Sequence, residues 1–241
     1  MSIADKLQTI LENEQKVYNA GYEKGKSEGG GGVNKLASVA DGTVTELTAE
    51  DLAGATKIGK YAFNYRESLL SITIPNGITE IGMHSFEYCR KLKTVTIPES
   101  VTSIGEHAFD YCENMTTVNI PNSVTTINIC TFYYCKSLKT VIIPDSVTSF
   151  ANQAFYGSGL ISIAIPNSVT FIGSYVFGQC KSLKRIDCSK HTSIPTLQVD
   201  GLVNNSTLQI KVPANLIDEW KAATNWSNYA SKIVTEFTNE V

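Results

Sequence analysis

The stretch Thr94–Cys112, TVTIPESVTSIGEHAFDYC, is followed by Thr117–Cys135, TVNIPNSVTTINICTFYYC, which says nearly the same thing 23 residues later. The echo runs along much of the chain. Prolines stand at 75, 98, 121, 144 and 166, and phenylalanines at 63, 86, 109, 132, 155 and 177, so the step is 23 residues with a single step of 22. The short step falls at Gly157-Ser158-Gly159, where other repeats carry a longer connection. A fixed period of this size is the signature of a repeat architecture and takes precedence over any local reading.

Each repeat opens with Leu92, Val95 and Ile97 ahead of Pro98, and the same slots hold Leu69, Ile72, Ile74, Pro75 and Leu138, Val141, Ile143, Pro144. This pattern predicts a short strand with alternate residues buried, ended by a proline that has no N–H for a ladder. A second apolar set, Val101, Ile104, Ala108 and Phe109, is more closely spaced and predicts a bend with one short helical or 3₁₀ turn. The column Gly59, Gly82, Gly105, Asn128, Ala151, Gly173 reads as a position of positive φ, with Ala151 the rung that should bend differently.

A single 23-residue unit cannot bury its apolar face, so neighbours must stack and share one core. At the ~4.8 Å strand spacing, five or six rungs make a body roughly 25 to 30 Å long. These residues resemble the BspA-like leucine-rich repeats, whose Leu-x-x-Ile-x-Ile-Pro and Val-x-x-Ile-Gly-x-x-Ala-Phe-x-x-Cys pattern is found from Leu52 to Ser189. The resemblance implies an α/β leucine-rich-repeat solenoid: a right-handed coil of about six repeats of 22–23 residues with a short parallel concave sheet, helical caps and a separate N-terminal helix. It also implies use as a binding surface, often in bacterial adhesion or host contact, and no catalysis.

The domain reading is 1–28 an amphipathic helix, 29–33 a Gly linker, 34–57 an N-terminal cap, 58–189 the repeats and 190–241 a C-terminal cap. Thr48 to Asp51 is a capping box ahead of Leu52, so a short helix is expected to replace the first full repeat. At the other end, an alternating strand of Leu208, Ile210 and Val212 precedes Pro213. A helical face of Leu216, Ile217, Trp220 and Ala223 follows, then Trp226, Tyr229 and Ile233, the two tryptophans read as sealing the core. In the N-terminal arm, Ile3, Leu7, Ile10 and Val17 recur at helical spacing, and a lone helix of about 18 residues is marginal in water, so it wants a partner. A second copy of the same helix is one candidate and a docking surface on a larger assembly is the other. The arm resembles the starts of prophage-encoded proteins, which implies a place on a phage-derived particle.

Stacking turns every repeat position into a column. Outward strand residues Thr73, Thr94, Thr96, Thr117, Asn119, Thr140 and Ile142 form a nearly uncharged, mostly hydroxylic face suited to a glycan or protein ligand, although Thr also simply favours strands. Tyr65, Tyr88, Tyr111 and Tyr134 form a second column, read either as a structural ladder or as a platform for sugar rings. Cys89, Cys112, Cys135 and Cys180 have no Cys-x-x-Cys pairing and read as buried thiols. Tyr61, His84, His107 and Cys130 bring two imidazoles and a thiol onto successive rungs, but a metal site needs a carboxylate or fourth ligand and a second shell. No metal and no cofactor is assigned.

A net charge of −3 offers no basic field for nucleic acid. The first residues lack the basic start and apolar run of a secretory signal, and no segment reaches the ~20 apolar residues of a membrane span. The expectation is a chain cytoplasmic as synthesised, virion-associated or released later, with no membrane insertion and with homo-oligomerisation through the N-terminal helix. There is no His-Glu metal motif, nucleophile elbow or phosphate-cradling loop. The function expected is a non-catalytic module recognising a glycan or protein partner, with a surface adhesin or secreted effector, and a purely structural repeat protein, as alternatives.

Overall fold

The computed structural model describes residues 45–203 and 205–238; the N-terminal arm and the Gly linker lie outside them. The chain winds as a solenoid in which corresponding residues of successive turns stand side by side. Each full turn has three edges.

The first edge is a parallel ladder of two- and three-residue strands. It runs through Glu46–Leu47, Ser71–Thr73, Thr94–Thr96 and Thr117–Val118, then through Ser162–Ala164, Arg185–Asp187, Gln209–Lys211 and Ile233–Val234. The central residue of each triplet, such as Ile72, Val95 or Ile163, points into the core, and its neighbours face outward. Pro75 and Pro98 sit just after these strands, where a missing N–H costs nothing.

The second edge departs from expectation. Ile58, Ile81, Ile104, Ile127, Phe150, Ile172 and Leu197 lie in a second parallel ladder of two-residue strands, not in a helical turn. Only one residue per strand is buried there, so the alternation was too short to register as a period of two.

The third edge is a layer of turns. Alternate residues donate N–H bonds to the next rung: His84 to the Glu106 carbonyl, Phe86 to Ala108 and Tyr88 to Asp110, at 2.8–2.9 Å. The residues between them close turns onto the carbonyl three positions back, Ser85 to Gly82 and Cys89 to Phe86. This alternation requires left-handed backbone at two columns, and the structure puts it under side chains: Tyr61, His84, His107, Cys130 and Gln153 in one, Tyr65, Tyr88, Tyr111, Tyr134 and Gly157 in the other.

The glycine column therefore has another cause. Gly59, Gly82, Gly105 and Gly173 do not have positive φ. A Cβ on Gly105 would stand 2.5 Å from the Met83 nitrogen and 2.8 Å from the Gly82 carbonyl carbon, so at Gly82, Gly105 and Gly173 glycine lets two backbones touch, while a Cβ on Gly59 would meet nothing within 4 Å. Ala151 keeps the usual bond, its N–H donating to the Ile127 carbonyl at 2.8 Å. The odd rung is Asn128, whose side-chain Nδ2 donates to the Ile104 carbonyl at 2.7 Å in place of the backbone N–H.

Inside the coil the phenylalanines stack ring on ring. Phe63, Phe86, Phe109, Phe132, Phe155 and Phe177 follow one another at 5.2–5.7 Å with nearly parallel planes, all buried. Cys89, Cys112, Cys135 and Cys180 lie beside them, each thiol donating to the carbonyl of a phenylalanine in the preceding rung. All six cysteines are free and buried.

At the front, Thr48 and Asp51 form part of a capping box, the Asp51 carboxylate accepting from the Thr48 N–H at 2.7 Å. It starts only one 3₁₀ turn, Glu50–Leu52, and the first rung keeps both strands, Glu46–Leu47 and Lys57–Ile58. At the rear, 3₁₀ turn Ala214–Leu216 leads into helix Ile217–Ala222, then 3₁₀ segment Trp226–Lys232. Trp220 and Trp226 are buried edge to face at 4.6 Å, and the Trp226 indole N–H donates to the Pro195 carbonyl. Ile233 is not on a helical face; Ile233–Val234 adds the last strand of the first ladder, covering the open edge of Gln209–Lys211.

Candidate functional site

The first ladder presents the hydroxylic face. Thr73, Thr94, Thr96, Thr117, Asn119, Thr140 and Ile142 are all exposed. Asn119 is not free to recognise anything by hydrogen bonding alone, because its amide clamps the previous rung, Oδ1 accepting from the Ile97 N–H and Nδ2 donating to the Ile97 carbonyl. The ladder thins at this point to a single bridge, Asn119 to Ile142. Ile142 stands 83% exposed in a row otherwise made of small polar groups, an apolar point on a hydrophilic strip.

Beside it lies a feature that sequence reasoning missed. Where the rung is one residue short, Gly159 presses against the Lys136 carbonyl and its N–H donates to the Cys135 carbonyl, so the connection cannot bulge outward as its neighbours do. The result is a dent of about 440 Å³ lined by Lys139, Ile161, Ser162, Ser182, Lys184 and Arg185. Among the described residues three cations and no carboxylate line it. Arg185 is held from behind, its guanidinium 5.3 Å from the Phe237 ring and Nη2 donating to the Thr238 carbonyl, while its buried Nε has no partner. The signal in the sequence was the 22-residue step, flanked by lysines in the same column.

The tyrosines of the second column lie face to face: Tyr65, Tyr88, Tyr111 and Tyr134 follow at 4.6, 4.7 and 5.2 Å with planes within 13°. Ring faces inside this stack are therefore covered by other rings, and only edges and hydroxyls reach solvent, apart from Tyr65, 49% exposed at the end. Arg90 lies over Tyr88 and Lys136 over Tyr134. Burial, with Tyr65 and Tyr111 on either side, pushes the Tyr88 phenol up to about 12. At Gly157 the column lacks a ring, and Tyr156 stacks on Tyr133 instead at 5.0 Å.

In the other left-handed column, Tyr61, His84 and His107 stack at 4.8 and 4.6 Å. Each histidine meets a carboxylate three residues on, His84 Nδ1 3.0 Å from Glu87 Oε2 and His107 Nδ1 2.8 Å from Asp110 Oδ2. The Asp110 hydrogen bond raises the His107 imidazole above its ordinary range, and burial raises the Asp110 carboxyl above its own, so the pair holds a shared proton more firmly than either group alone. Cys130, next in the column, has its thiol pushed up to about 12 by burial and is 3.7 Å from the Gln153 side-chain oxygen.

The sequence description "BspA type leucine rich repeat region" matches this chain in six copies over residues 56–184 and 102–219. The chain belongs to the BspA-type leucine-rich repeat family. Solved structures of the same kind resemble this BspA-type chain. A leucine-rich repeat protein of T. pallidum is 27% identical with a TM-score of 0.56, covering 59% of this chain and 68% of that one. Another from Bacteroides ovatus is 28% identical with a TM-score of 0.52, covering 60% and 46%. The pneumococcal vaccine antigen PcpA shares the fold at 22% identity and a TM-score of 0.53, over 81% of this chain and 42% of that one. The BspA-type chain thus spans less than half the length of the last two. No curated protein matches it. Leucine-rich-repeat relatives are typically non-enzymatic binding modules, and the family points to a protein-interaction or adhesion-type module. Among the described residues, no helix is long and apolar enough to cross a membrane.

Proposed function

We propose that this BspA-type chain is a non-catalytic protein-interaction module that takes an extended acidic segment of a protein partner along its first ladder, with a carboxylate of that segment seated in the dent. The dent carries the reading: Lys139, Lys184 and Arg185 converge where no lining residue supplies the opposite charge. Cations gathered without a carboxylate beside them favour an anion that brings its own hydrogen-bond acceptors. Ile161 inside the dent and Ile142 beside it add apolar contact, and the threonines carry the segment onward as polar, adaptable neighbours. The tyrosine stack supports a polypeptide over a neutral glycan, because sugar rings bind on open aromatic faces and these faces are already paired.

Fluorescence anisotropy of the full chain with labelled acidic peptides tests this, alongside an array of acidic and neutral glycans. The expected result is salt-sensitive peptide binding that weakens at least about tenfold in Lys184→Glu or Lys139→Glu, the loss of one close charge pair. Binding confined to acidic glycans, and lost in the same variants, would move the ligand to carbohydrate. Binding indifferent to both variants, or none at all, would refute the site.

The seam Ile3, Leu7, Ile10 and Val17 completes the proposal by bringing copies together, so that weak contacts at each dent add through avidity. Light scattering on the full chain and on a chain beginning at Val33 checks this, and equal monomer masses would rule it out.

A further inference from the structure

We infer that His84, Glu87 and His107 form a site for one divalent transition-metal ion of the zinc class, bridging two successive rungs, with Asp110 positioning His107. One donor atom from each of His84, Glu87 and His107 lies within 4.8 Å of the other two. Asp110 stands outside that group of three and holds His107, its Oδ2 2.8 Å from His107 Nδ1. Two imidazole nitrogens and one carboxylate oxygen, with a fourth position left for water, are a donor set that suits zinc and its neighbours and discriminates against magnesium and calcium, which prefer oxygen alone.

A second observation points the same way independently. Asp110 is only 5% exposed, yet its Oδ1 has no hydrogen-bond partner among the described residues. A buried carboxylate oxygen without a partner costs more than an exposed one, and an ion or an ordered water beside it would satisfy it. Among the described residues neither His84 nor His107 makes a hydrogen bond through Nε2, so beyond the ring stack each imidazole is held only by its carboxylate.

The ion would take the place of the hydrogen bonds between ring nitrogen and carboxylate, and a ring that binds it through Nδ1 must be neutral with its proton on Nε2. The rings lie 4.6 Å apart centre to centre, and tetrahedral zinc at ~2.0–2.1 Å from each nitrogen needs the donors somewhat closer. Small rotations of two half-buried rings, with Glu87 17% exposed and movable, supply that closure.

Both histidines stand at a left-handed position, φ 55° in each case. The ion would tie the rung of His84 to the rung of His107 at the turn edge and so resist their separation.

Equilibrium dialysis and thermal melts of the full chain, freed of metal and titrated with zinc chloride, test the proposal. The expected result is about one zinc ion per chain with a rise in melting temperature, unchanged by excess magnesium. Only His191 remains as a further histidine, and it is buried elsewhere, which limits competing sites. His84→Gln and His107→Gln should each abolish stoichiometric uptake, and Asp110→Asn should weaken it about 10- to 100-fold. Should those variants fail to fold, the wild-type protein still decides the matter by NMR: zinc must shift the ring signals of His84 and His107 and leave those of His191 in place. No uptake by wild type, uptake unchanged in folded His84→Gln and His107→Gln, or shifts at His191 alone would each overturn the site.

Discussion

Gly105→Ala separates two explanations of the glycine column by the sign of its effect. Gly105 does not have positive φ, and at such a position alanine ordinarily stabilises a protein by about 0.4–1 kcal/mol by restricting the unfolded chain. Here the new Cβ would meet the Met83 nitrogen at 2.5 Å, the Gly82 carbonyl carbon at 2.8 Å and the Met83 Cα at 2.9 Å. All three are backbone atoms and cannot rotate away. The rungs must part, lengthening the bond in which the Gly105 N–H donates to the Ile81 carbonyl at 2.8 Å. Overpacking of this kind costs about 1–3 kcal/mol, which for a protein of this size lowers the melting temperature by roughly 2–12 °C. Thermal denaturation followed by circular dichroism measures it against wild type, with Ala151→Gly as a companion that should cost no more than the flexibility of glycine, about 0.5–1 kcal/mol. A melting temperature for Gly105→Ala equal to or above that of wild type would refute the steric account.

Three further outcomes follow from packing and burial. Phe109→Ala removes a ring stacked on both Phe86 and Phe132 and should destabilise by about 3–5 kcal/mol in urea titrations, with a larger unfolding rate. The thiols are buried and burial pushes them up, Cys89 to about 12 and Cys180 to about 11, so a thiol-specific reagent should leave the native chain unlabelled at neutral pH and titrate six groups after denaturation. His191 is buried against the edge of Trp220, its Nε2 3.2 Å from the Ile165 carbonyl, and burial lowers its pKa below the ordinary 6.5. The unfolded chain therefore takes up the proton first, so stability is full above pH 6.5 and declines as the pH falls below it toward the lower folded value. The difference in denaturation free energy between wild type and His191→Gln, measured from pH 7.5 to 5, should narrow along that path; a constant difference would contradict the assignment.

The repeat was legible because its signals are additive: five prolines and six phenylalanines in step leave little room for another period, and the buried phenylalanine stack and first ladder follow from them. The tryptophan cap was legible for a similar reason, since two large rings at an apolar end have few other uses. The second ladder was not, because strands with one buried residue each carry no alternation to detect. The glycine column was found but its cause was not: contact between rungs and positive φ select the same residue, and only the distances to Met83 and Gly82 tell them apart. The left-handed columns were hidden under tyrosine and histidine, residues that rarely advertise such a backbone. For the functional surfaces, Thr73 to Ile142 could be placed on one face from register alone. The dent required knowing that a deletion at Gly159 leaves Lys139 and Lys184 facing a common hollow, and the partners of His84 and His107 lay three residues onward around a turn whose handedness the sequence does not state.

The ladders are not interrupted at random. The first loses its pairing after Thr117–Val118 except for one bridge, and the second is broken between Ser103–Ile104 and Thr126–Ile127, so two of the three edges are weak within neighbouring turns. The third is whole there, with His107, Phe109 and Tyr111 each donating to the next rung and the phenylalanine stack unbroken behind them. Such a body has a spine and two loose fore-edges at mid-length. A ligand lying across the break would act as a clasp, coupling recognition to the stiffness of the whole coil.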